Sequence, residues 1–103
     1  MYYVYFILSL KNDDLYIGYT EDPRERFKQH NDGKVKSTKS LRPWVLVGYE
    51  AYRDKEDATK REYFLKTGQQ REMLKIRLKN SLGKIKLANN GGRVAERPKA
   101  RVC

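Results

Sequence analysis

The chain has 103 residues, with 23 Lys+Arg against 13 Asp+Glu, a net charge of +10, and 39% hydrophobic residues. This length suits one small domain that buries roughly 60–65% of its unfolded surface, and no window approaches the ~20 apolar residues of a membrane-spanning helix. The only cysteine is Cys103, so a disulfide framework and a cysteine metal cluster are both excluded and a reducing cytoplasm is the expected compartment.

Tyr2–Leu10 is apolar on both alternating faces and predicts a buried or central strand. It has no basic leader and no small-residue cleavage site, and Tyr2, Tyr3 and Tyr5 suit a strand better than a signal peptide. Lys11–Asp14 is turn chemistry, and Leu15–Tyr19 completes a hairpin. Asp22 is an N-cap and Pro23 occupies the first helical position of a helix expected to run to about His30, with Asn31-Asp32-Gly33 as its stop. Lys34–Leu41 reads as a polar basic loop. Pro43 opens a third strand, Trp44–Tyr49, continuing to Tyr52.

Asp54 caps a second helix, with Asp57 at the third position of a capping-box-like pattern. That helix is expected to end near Thr67, with Gly68 just beyond it. Gln69–Lys79, with Met73, Leu74, Arg77 and Leu78 at helical spacing, predicts a third. The order β-β-α-β-α-α describes a small three-stranded sheet covered by helices, in the α+β class, over residues 1–80.

Residues 81–103 hold Lys84, Lys86, Arg93, Arg97, Lys99 and Arg101 against Glu96 alone, half of the net charge. They are expected to form a basic tail, disordered over 87–103, that adds non-specific affinity. The first 80 residues are basic in their own right. Such an excess attracts polyanions, of which nucleic acid is the most abundant in a cytoplasm.

Three features exceed a purely structural account. Eight of the 103 residues are Tyr, and a two- or four-residue hairpin loop places Tyr16 on the sheet face of Tyr3, Tyr5 and Ile7. Gly18 weakens its strand, and such a glycine often marks a place where another group comes close. Arg26 and His30, four residues apart, share one helix face. Glu62 lies on the stripe of Ala58 and Leu65, so its carboxylate is expected to point inward, where it needs either an Arg partner or a metal. Two phenols, a guanidinium, an imidazole and one inward carboxylate can assemble phosphodiester chemistry. The phosphate needs a cation, the attacking water a base and the leaving oxygen a Lewis acid.

The strings Tyr3-Val4-Tyr5 and Tyr16-Ile17-Gly18, followed by YIGYTEDPRERFKQHNDG, STKSLRPWVLVGYEAY and REYFLKT, resemble the GIY-YIG nuclease superfamily, in particular its small standalone bacterial members. The resemblance covers roughly residues 2–80 and implies a three-stranded antiparallel sheet with flanking helices. It also implies a catalytic set. Tyr5 matches the tyrosine of the first motif, and Tyr16 and Gly18 match the second. Arg26 matches the family's arginine, His30 a helix position that is His or Tyr in relatives, and Glu62 the single metal-binding glutamate. By that resemblance Glu62 holds one divalent ion, Mg2+ or Mn2+, with waters completing its shell. A phenol of the tyrosine pair serves as general base, although an unperturbed Tyr with a pKa of about 10 is ionised in only about one molecule in a thousand at neutral pH. Arg26 and a metal-bound water network are expected to favour the phenolate. The implied products are 5′-phosphate and 3′-hydroxyl ends.

The chain departs from the family pattern at three points. Tyr3 replaces the name-giving Gly, Tyr19 stands where DNA-repair members carry a Lys, and Asn80 is the one candidate for the late Asn that some members use. The expected function is a metal-dependent DNA endonuclease of low sequence specificity, acting on branched, damaged or single-stranded forms. The alternatives are a non-catalytic nucleic-acid-binding module and an interaction domain that works beside a specificity-supplying partner protein. Lys34, Lys36, Lys39 and Arg42 in the basic loop are the expected backbone contacts, since no groove-reading motif is present.

Overall fold

The computed structural model describes residues 1–90. β1 (Tyr2–Ser9) is the central strand of a three-stranded antiparallel sheet, flanked by β2 (Leu15–Thr20) on one side and β3 (Trp44–Tyr52) on the other. The sequence of β1 accounts for that place, because both of its faces are apolar and both are covered. Val4, Phe6 and Leu8 enter one cluster with Leu15, Ile17, Ala58, Leu65, Leu74 and Leu82. Tyr5 and Ile7 enter the other with Trp44, against Tyr16, Phe27 and Leu41.

The hairpin pairs Tyr5 with Gly18 and Ile7 with Tyr16. This register puts the phenols of Tyr5 and Tyr16 on one face, as the odd register sum requires. An irregularity between Phe6 and Ile7 shifts the pairing with β3, where Val47 is the extra residue.

Helix α1 (Pro23–Asn31) covers the Tyr5 face. Its N-terminus forms as its residues dictate: the Asp22 carboxylate accepts from the Glu25 N–H, and Pro23 sits where no N–H is needed. Helices α2 (Lys55–Leu65), α3 (Gly68–Arg77) and α4 (Lys79–Asn90) cover the opposite face. Asp54 caps α2 by accepting from the Glu56 N–H at 2.8 Å.

Two features differ from expectation. Gly68 does not terminate α2: that helix ends at Leu65, and Gly68 begins α3 behind Thr67. Residues 81–90, expected in the basic tail and disordered from 87 onward, complete α4, because Leu82 is buried and Ile85 packs against the same core. The rest of the expected tail, 91–103, lies outside the described residues. Among the described residues no helix is long and apolar enough to cross a membrane.

Candidate active site

The site grows from the Tyr5–Gly18 pair. A Cβ on residue 18 would drive into the Tyr5 phenol, with ring atom Cε1 only 2.7 Å away. The glycine therefore leaves the space in which the Tyr5 ring lies across β2, which is the close approach its place in a strand implied. The Tyr5 hydroxyl reaches α1 and forms a 2.7 Å hydrogen bond with His30 Nε2. On the far side of the imidazole, Nδ1 lies 2.7 Å from Thr38 Oγ1. Tyr5, His30 and Thr38 are all fully buried.

Aromatic packing closes this cluster. The half-buried Tyr16 ring meets the His30 ring edge-on at 5.1 Å between centroids, and Trp44 lies 6.1 Å from Tyr16. The base of the site is held by main-chain pairing to side chains. Asn31 donates to the Trp44 carbonyl at 2.9 Å and accepts from the Trp44 N–H at 2.7 Å. The Trp44 indole donates to the Thr38 carbonyl at 3.0 Å. The loop after α1 is thus pinned beneath the imidazole.

Charge distribution sets the protonation states. Burial, helped by the neighbouring Arg26 guanidinium, pushes His30 down to about 4, so the imidazole is neutral at pH 7. The resemblance leads one phenol of the tyrosine pair to be expected to ionise more readily beside Arg26, and Tyr5 is not that phenol. Instead burial pushes its phenol up to about 12, with Tyr16 and Glu62 adding to the rise, and Arg26 only partly offsets this. Desolvation outweighs a single nearby cation here. Tyr5 remains a neutral hydroxyl.

Arg26 is half-buried one turn before His30, and its Nη1 donates to Gln29 Oε1 at 3.0 Å. Glu62 comes from α2, in the other helical layer, and its charge still reaches Tyr5. Its carboxylate is not sunk in the core. The side chain keeps 22% exposure, and Oε2 is 2.8 Å from the Lys66 ammonium one turn later on the same helix. The partner is therefore a lysine rather than the arginine that a buried carboxylate suggested. Lys66 Nζ also stands 5.7 Å from the centroid of the Tyr16 ring, linking Glu62 to the tyrosine face. α2 is docked by a fork from its neighbouring residue: Arg61 Nε donates to Glu50 Oε1 at 2.9 Å, with Nη2 3.3 Å from Oε2, and Tyr52 donates to Oε1 at 2.6 Å.

Of the loop cations, Lys34, Lys36, Lys39 and Arg42 are all exposed. Lys39 and Arg42 line an open pocket together with Lys11, Asn31, Ser40 and Pro43. Asn80 is exposed in the first turn of α4. Sequence reasoning missed Thr38, Lys66 and Lys11. Lys66 carried a signal, since a carboxylate and a lysine four residues apart on a helix are neighbours. Thr38 carried none, because a threonine in a polar loop does not announce its burial.

Residues 1–75 match the family model described as the GIY-YIG catalytic domain. A UPF0213 protein of Staphylococcus haemolyticus is 43% identical over 76 residues, which is 73% of this chain and 92% of that protein. A UPF0213 protein of Staphylococcus aureus is 40% identical over 72 residues, covering 69% and 88% respectively. The solution NMR structure of a UPF0213 protein from Bacillus halodurans is similar with a TM-score of 0.48 and 33% identity, over 90% of this chain and 97% of that one.

Proposed function

The chain belongs to the GIY-YIG catalytic-domain family, and from that premise we propose that it is a cytoplasmic endonuclease that hydrolyses DNA phosphodiester bonds with one divalent ion. The carrying observation is the grouping of Tyr5, Tyr16 and His30 under the charges of Arg26 and Glu62, from four different elements.

Members of the family generally use a divalent metal. Among the described residues no three His, Cys, Asp or Glu side chains gather, and Glu62 is the ligand the resemblance assigns to an ion here. The fit is to a hard, largely hydrated cation: one carboxylate ligand with water in the remaining positions suits Mg2+ or Mn2+. The Glu62 side chain keeps 22% exposure and its charge reaches Tyr5, so water can complete the shell of an ion held there beside the tyrosine face. When bound, the ion supplies Lewis-acid stabilisation of the leaving 3′ oxygen.

The protein's own groups divide the remaining work. Tyr5, buried and neutral, fixes His30 and shapes the floor of the site. Tyr16 shares that face but is only half-buried, so it is the phenol with access to a water molecule; its phenolate form orients that water and takes its proton, becoming the neutral phenol. Arg26 binds a non-bridging phosphate oxygen and stabilises the charge that develops there. Lys34, Lys36, Lys39 and Arg42, joined by Lys11, contact the DNA backbone without reading bases.

A panel of linear, nicked, branched and single-stranded DNA, incubated with Mg2+ and with chelator, tests this reading. Mg2+-dependent cleavage of at least one form supports it. Binding of all forms with cleavage of none, in Mg2+ or Mn2+, assigns the chain to the non-catalytic binding module instead.

A further inference from the structure

We infer that Lys66 is a built-in competitor for the metal position, an ammonium that occupies Glu62 until a divalent ion displaces it and that thereby sets the metal concentration at which the site loads. The inference rests on the reading of Glu62 as the metal ligand and adds the control of that site.

The geometry is specific to this pair. Lys66 Nζ lies 2.8 Å from Glu62 Oε2, in direct contact with one of the two oxygens that carboxylate can offer an ion. An ion coordinating that oxygen and an ammonium bonded to it exclude each other by size and by charge. The pair is also easy to open. The lysine side chain is 45% exposed, on a flexible four-carbon stem, and an exposed ion pair at this helical spacing is weak. A weak, local pair of this kind tunes loading without blocking it.

The displaced ammonium has somewhere to go. It already stands 5.7 Å from the centroid of the Tyr16 ring, within the range of a cation–π contact. No other cation pairs with Glu62 among the described residues, so the competition falls on Lys66 alone.

Mn2+ alone is the probe, titrated into the full chain and followed by the EPR signal of the free ion, with no DNA and no turnover. Lys66→Met is expected to bind Mn2+ roughly three- to tenfold more tightly than the wild type, the gain expected from removing a unit charge a few ångströms from a dication in a mostly aqueous setting. Lys66→Arg, whose guanidinium holds a carboxylate at least as well, is expected to bind no more tightly than wild type. Glu62→Gln is expected to lose the site. Loss of binding in Glu62→Gln with unchanged or weaker affinity in Lys66→Met overturns the competition while leaving the metal site standing. Equal binding by Glu62→Gln and wild type, or no binding by any variant, overturns both.

Discussion

At Gly18 the absence of a side chain makes room for a neighbouring ring at one atom. The Tyr5 phenol occupies the place a Cβ would take, so Gly18→Ala forces the ring to turn and breaks its bond with His30. Overpacking of this kind costs about 1–3 kcal/mol. The expected result is a lowered denaturant midpoint together with loss of the buried Tyr5–His30 hydrogen bond, seen as an NMR shift of the imidazole nitrogens.

His30 gives a pH dependence of defined sign. Its pKa is lowered by burial first and Arg26 second, from 6.5 to about 4. Between those values the unfolded chain binds the proton and the folded chain does not, so stability is full above about pH 6.5 and falls as the pH drops toward 4. From pH 6.5 to pH 5, above the range where most carboxylates titrate, the expected loss is at most about 2 kcal/mol. Urea unfolding of the wild type against His30→Asn checks this, with the slope in that window present in the first and absent in the second. Tyr16 on the Tyr5 face was legible from hairpin arithmetic alone. The raised pKa of Tyr5 was not, because desolvation depends on what finally covers the ring.

Among the elements, α2 carries the metal-ligand candidate, and what places α2 is the Arg61–Glu50–Tyr52 fork to β3. Burial alone pushes the Glu50 carboxyl up, but the bonds from Arg61 and Tyr52 outweigh it and hold the group below its ordinary value. Glu50→Ala removes the acceptor of three hydrogen bonds at a half-buried site, with an expected loss of about 1–2 kcal/mol. Because α2 then docks less firmly, cleavage is expected to fall by more than the unfolded fraction explains, measured as specific activity of the folded protein.

The central place of β1, α1 with its cap and the start of α2 were all written in local signals: a run apolar on both faces, Asp-Pro and a capping aspartate. α4 was not. Of its apolar residues only Leu82 and Ile85 pack into the core, Gly83 sits within the helix and lysines surround them, so only the tertiary core against which Leu82 packs offsets the ordering entropy of the helix. Gly68 misled for a related reason: a glycine after a helix reads as a terminator, yet here it begins the next helix.

The molecule as a whole carries +10, and its exposed loop cations lie beyond the end of α1 that bears Arg26 and His30. Backbone contacts of this type release counterions, with a slope in log affinity against log salt of about −0.9 per phosphate neutralised on duplex DNA. Lys36→Ala combined with Lys39→Ala is expected to make the slope shallower by about 1.8 and to weaken binding equally across sequences. An unchanged slope removes those two lysines from the interface. The loop was legible as basic, but the joining of Lys11 from the hairpin turn to Lys39 and Arg42 was not, since only the folded sheet brings those segments together.

In the proposed function Glu62 and the tyrosine face form one catalytic site. Nicking of supercoiled plasmid in Mg2+ tests it most directly, with wild type, Glu62→Gln and Tyr16→Phe compared at matched DNA occupancy. Nicking by the wild type and a loss of at least about a hundredfold in each variant with binding retained are the expected results; nicking by Glu62→Gln at the wild-type rate would separate Glu62 from the site.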